Sequence, residues 1–134
     1  MKTEIKLQNI DNVIVFLPLF ERREKLYELR LDIEPFAPHI YTREVEEFIS
    51  TLRNEGFIVL FDWPTWSNDA NRLVSHPELL NSATLDMLQK LLTTHLRKER
   101  FCSGHIAGMI GNGNILAILQ RLATIRAEMA LGSP

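Results

Sequence analysis

His95 and His105 are the residues of this chain best suited to chemistry, because an imidazole can both give and take a proton near neutral pH. Both lie in LLTTHLRKERFCSGH (Leu91–His105), which also holds Thr93, Thr94, Arg97, Lys98, Glu99, Arg100 and the only cysteine, Cys102. General-base chemistry would set His95 against Thr93, Thr94 or Cys102 as nucleophile, with Asp62 or Glu99 as the orienting carboxylate. A metal reading rests on the C-x-x-H spacing of Cys102 and His105, with His95 and Glu99 nearby. A lone cysteine falls far short of a paired-cysteine zinc pattern, so Cys102 is expected to pack as a small apolar residue, and neither a metal nor another cofactor is expected. An anion reading joins Arg97 and Arg100, one helical turn apart, to His95, His105 and the N–H groups of a helix starting at His105. A carboxylate of the chain itself, from Asp62 or Glu99, is the simpler occupant of such a cluster. Trp63 and Trp66 either clamp a turn onto the core or form an aromatic platform for a base, sugar or peptide. No nucleophile elbow, phosphate-cradling glycine loop or H-E-x-x-H motif occurs.

These residues need elements to position them. Leu85, Leu88, Leu92 and Leu96 lie on one side of a helix that Ser82 can cap, with His95 leaning toward that side and Thr93, Arg97 and Arg100 opposite. The chain then turns at Ser103 and Gly104 into a short helix, His105–Ile110, and Asn114 can cap a last one carrying Ile115, Ile118, Leu119, Leu122 and Ile125. In the first half, Asp11 can cap a helix that Pro18 kinks or ends. Tyr27–Ile33 alternates apolar and polar residues as a strand does, and Glu34–Tyr41 reads as a loop. Thr42 caps a helix bearing Val45, Phe48, Ile49 and Leu52, closed by Gly56, and the apolar run Phe57–Phe61 is expected to pair with Tyr27–Ile33. After the turn at Asp62–Trp66 a short polar helix runs to about Val74, and Pro77 opens a further helical turn.

The chain has 134 residues, 46% hydrophobic and 24% charged, as expected of one globular domain, 1–134: a helical core over 42–130 preceded by an N-terminal part, 1–41. A single cysteine and no signal-peptide core point to the cytoplasm, and no run is long enough to span a bilayer. The net charge of −2 disfavours nucleic acid. It conceals an asymmetry, nine basic against fourteen acidic residues in 1–81 and six against three in 82–134. The basic second half and its tight helical joints leave a helix-turn-helix DNA-binding module as one alternative, although the last helix offers only Gln120, Arg121, Thr124 and Arg126.

FDWPTW (Phe61–Trp66), LLTTHLRKERFCSGH and GNILAILQRL (Gly113–Leu122) together resemble a family of small bacterial proteins known as a domain of unknown function. The resemblance spans about Val45 to Leu122 and implies a stand-alone, mostly helical domain with no established activity or cofactor. Members more often carry an acidic residue in place of Ser103 and frequently a histidine in place of Asn114.

The reading is therefore a mainly α, compact helical domain with a small two-stranded β element, or α+β, acting as a binding or regulatory module rather than an enzyme. Its expected site comprises His95, Arg97, Arg100, His105, Asp62, Trp63 and Trp66, its partner being a protein or a small anionic ligand. The alternative is a small hydrolase or transferase using His95 and His105.

Overall fold

The computed structural model describes residues 4–22, 25–30, 32 and 39–132. Helices dominate: α1 (Leu7–Ile14), α2 (Leu17–Glu21), α3 (Arg43–Asn54), α4 (Ser67–Ser75), a 3-10 helix (Pro77–Ser82), α5 (Leu85–Phe101), α6 (His105–Gly111) and α7 (Asn114–Gly132), with strands β1 (Tyr27–Leu29) and β2 (His39–Tyr41) between α2 and α3. The mainly α reading with a small two-stranded element is correct.

The long amphipathic segments fold as their apolar spacing requires. Thr42 caps α3 by accepting the Val45 N–H at 3.4 Å, and Val45, Phe48 and Leu52 are buried. Gly56, at φ +83, lets the Gly56 and Phe57 N–H groups return to the carbonyls of Arg53 and Leu52, a Schellman closure. Phe16 and Phe20 meet Phe48 edge-on, at 5.4 and 4.8 Å between centroids. Helix α7 touches α1, α2, α5, α6 and the 3-10 helix and buries Ile115, Ile118, Leu119, Leu122 and Ile125, all expected. Buried apolar residues from Ile5 to Ile125 form one contiguous cluster.

Several local expectations fail, each for a readable reason. Phe57–Phe61 is not a strand: its first N–H closes α3, the Val59 N–H donates to the Thr93 hydroxyl at 2.9 Å, and Leu60 is 99% exposed. The partner of β1 is instead His39–Tyr41, expected to be loop, in antiparallel register Tyr27↔Tyr41, Glu28↔Ile40 and Leu29↔His39. The aromatic rings of Tyr27, His39 and Tyr41 line up across this pair. The remainder of the expected loop, 34–38, and Ile33 lie outside the described residues.

Three capping residues also do other work. Helix α1 starts before Asp11, with the Asn9 amide accepting the Lys6 N–H at 2.8 Å, and Asp11 pairs with Arg126. Thr84, not Ser82, caps α5 by accepting the Met87 N–H at 3.2 Å. Asn112 accepts the Asn114 N–H at 2.9 Å, freeing the Asn114 side chain for the interior. Pro18 behaves as expected: α1 stops before it, and it occupies the first turn of α2, where its missing N–H costs nothing. Among the described residues no helix is long and apolar enough to cross a membrane.

Candidate functional site

The polar centre lies where the end of α5, the start of α6 and the start of α7 meet. Helix α5 is buried at every position from Leu91 to Leu96, because α7, α6 and the Phe57–Val59 segment surround it. Thr93, expected on the solvated side, is therefore inside, and its hydroxyl is bound to Val59 N–H; the Thr94 hydroxyl donates to Lys90 O at 2.8 Å. Neither hydroxyl faces a base.

His95, 2% exposed, joins two partners: its Nδ1 lies 2.9 Å from His105 Nε2 and its Nε2 lies 2.7 Å from Asn114 Oδ1. With the amide oxygen as acceptor, His95 carries its proton on Nε2 and accepts His105 Nε2–H through Nδ1. The Nδ1 of His105 is then left with a lone pair and no partner among the described residues. Burial pushes the His95 pKa down to about 3, with His105 and Lys98 adding to the shift against the opposing hydrogen bond from Asn114. Burial and Lys98 also lower His105, while Glu99 opposes them. The pair is thus neutral at physiological pH.

Asn114 Nδ2 is a buried side-chain donor with no hydrogen-bond partner among the described residues, in a residue only 4% exposed. An orphaned amide in such a place costs roughly 1–3 kcal/mol. The chain Asn114, His95, His105 therefore ends in an unsatisfied donor on one side and an open imidazole nitrogen on the other.

Next to it, Glu99 organises the joint. Its carboxylate accepts from Gly104 N–H (3.0 Å), Ile106 N–H (2.8 Å) and the Tyr41 hydroxyl (2.8 Å), and that hydroxyl accepts from Ala107 N–H at 3.0 Å. Burial and the Glu99 contact raise the Tyr41 pKa well above that of an ordinary phenol. The start of α6 is thus filled by a carboxylate of the chain, the simpler of the two occupants considered from sequence. Ser103 Oγ lies 3.0 Å from His39 Nδ1 and accepts the His39 N–H at 3.3 Å. Gly104, at φ +93, has the His39 imidazole where a Cβ would stand, so both the backbone and the space require glycine.

The other expected site residues are dispersed. Arg97 is half-buried and Arg100 exposed, and neither makes a hydrogen bond or ion pair with a described residue. The cation whose field reaches both histidines is Lys98, which also donates to Asn71 Oδ1 at 3.5 Å. Asp62 accepts from the Thr65 hydroxyl at 2.6 Å within its own turn. Trp66 packs edge-on against Phe61 and on the core, whereas Trp63 stacks on Phe101, itself 80% exposed. Cys102, expected to pack, is exposed, because α5 has ended and the chain is turning outward. Among the described residues no three His, Cys, Asp or Glu side chains converge as metal ligands, so the C-x-x-H pair finds no third member.

Sequence reasoning missed Tyr41, His39, Lys98, Ser103 and Asn114 as members of this centre. A polar residue directly before a strongly apolar helix, as Asn114 is, reads as a cap; only the presence of Asn112 two residues earlier signals a second capping side chain. Compared with known proteins, residues 5–128 match the model of a family described as a family of unknown function, DUF6508. No curated protein and no solved structure matches the chain.

Proposed function

The chain belongs to a family of unknown function, so its role must be read from its own geometry, and we propose a small binding module that holds an acceptor-bearing anionic group at the α5–α6–α7 joint. The observation that carries this is the buried, unpartnered Asn114 Nδ2 at the end of the His95–His105 chain. An acceptor from a ligand would satisfy that donor, and Lys98 would supply the positive field that two neutral imidazoles lack. Arg97 and Arg100 form an outer basic rim in this reading. The free cysteine accords with a reducing, cytoplasmic setting.

Thermal unfolding at increasing inorganic phosphate tests it. A ligand bound only by the native state at one hundred times its Kd stabilises by about 2.7 kcal/mol. Phosphate should raise the melting temperature of the parent and leave that of Asn114→Ala, which lacks the amide donor, unchanged. Should phosphate, sulfate and acetate all fail to stabilise the parent, the reading falls.

A second reading, acid–base catalysis by His105, draws on the same chain, since a base held by a second imidazole that is itself held by an amide is an orienting arrangement. Turnover separates the two. A bound ligand recovered unchanged after prolonged incubation removes the enzymatic reading.

A further inference from the structure

A separate cleft, lined by none of the histidines, borders Trp66. Trp66, Leu73, Leu79 and Met87 wall a cleft of about 390 Å³ between α4, the 3-10 helix and the first turn of α5. That volume falls in the range of roughly 300–1,000 Å³ typical of small-molecule sites. Asp69 and Arg72 line the same cleft. They are three apart on α4 and so share a face, yet neither side chain makes a hydrogen bond or ion pair with a described residue. An anion and a cation that leave each other free, above a wall of tryptophan, leucine and methionine, match one ligand chemistry: an apolar side chain joined to an ammonium and a carboxylate.

We propose that this cleft binds a free apolar α-amino acid, with Asp69 taking the ammonium, Arg72 the carboxylate and the Trp66, Leu73, Leu79 and Met87 walls the side chain. Arginine is suited to the carboxylate by its two-pronged geometry, and the ring and thioether surfaces accept an aliphatic chain of varied shape. The site is independent of the anion reading at the histidines and stands or falls separately.

The test is fluorescence titration of the full chain carrying Trp63→Phe, so that Trp66 is the only indole. The probes are L-leucine, isopentylamine, which lacks the carboxylate, and 4-methylpentanoate, which lacks the ammonium. L-Leucine should change the emission saturably and bind more tightly than either analogue. Asp69→Asn and Arg72→Gln should each weaken leucine about tenfold, the loss of one charge-assisted contact, and each should erase leucine's advantage over the analogue lacking the corresponding charge. Both substitutions change exposed side chains. Because Asp69 is in the first turn of α4 and Arg72 in the last, melting temperatures are measured in parallel. Variants that melt lower yet bind leucine like the parent would assign the two charges to helix stabilisation and overturn the proposal. So would three probes of equal affinity, or no saturable change with any of them.

Discussion

At the scale of the residue, the decisive property is the neutrality of His95. Its folded pKa of about 3 lies below the ordinary 6.5, so the unfolded chain binds the extra proton and the native state does not. The stability that this difference confers is complete above the unfolded pKa and is lost as pH falls from about 6.5 toward 3. His105 shifts in the same direction, under Lys98 and against Glu99. Urea unfolding should therefore show stability falling between pH 7 and pH 5 by about 2 kcal/mol from His95 alone, and His95→Gln should flatten that slope. An unaltered slope in the variant would mean that His95 is not the titrating group. Tyr41→Phe removes a hydroxyl that donates to Glu99 and accepts from Ala107 N–H, and should cost about 1–3 kcal/mol in the same assay. That histidine leans inward was legible from its spacing to Leu92. That Tyr41 reaches Glu99, 58 residues away, was not, because the two lie on elements whose contact only the tertiary fold decides.

At the scale of the element, helices were legible and their joints were not. Periodic apolar spacing identified α3, α5 and α7, since α3 and α7 bury an apolar stripe and α5 buries the expected Leu88, Leu92 and Leu96 before and within its wholly buried stretch Leu91–Leu96. The strand partner was misread because a wholly apolar run states only that it is buried, not against what, and the N–H groups of Phe57 and Val59 were already committed to α3 and Thr93. The arginine pair shows the same limit, since helical spacing put Arg97 and Arg100 on one face but could not say whether anything approaches it. Without a partner among the described residues, the double change Arg97→Ala with Arg100→Ala should alter stability by no more than ~0.5 kcal/mol at each site, as for surface positions generally. A large loss would mean that the pair is structural. Gly104→Ala should do the opposite and destabilise by at least ~1 kcal/mol, because its φ is positive and His39 occupies the Cβ position.

At the scale of the whole molecule, α7 is the element on which α1, α2, α5, α6 and the 3-10 helix converge. Arg126 is held by Asp11 at 2.8 Å, and Arg121 donates to Ala83 O at 2.9 Å and lies near Glu128. The basic residues that a groove-reading helix would need are thus turned to internal tasks, which disfavours the DNA-binding alternative. The same packing delivers Asn114 to His95 and leaves one amide donor unmatched at the joint of three helices. The claim that this joint is a neutral, oriented imidazole pair awaiting an anionic acceptor is tested most directly by imidazole 15N NMR at pH 6, recorded with and without inorganic phosphate. A neutral His95 protonated on Nε2 is expected in both spectra, with its Nε2 resonance moving saturably with phosphate as the Asn114 amide that it bonds gains an acceptor; a His95 that titrates near pH 6.5, or one indifferent to phosphate, sulfate and acetate alike, would contradict this.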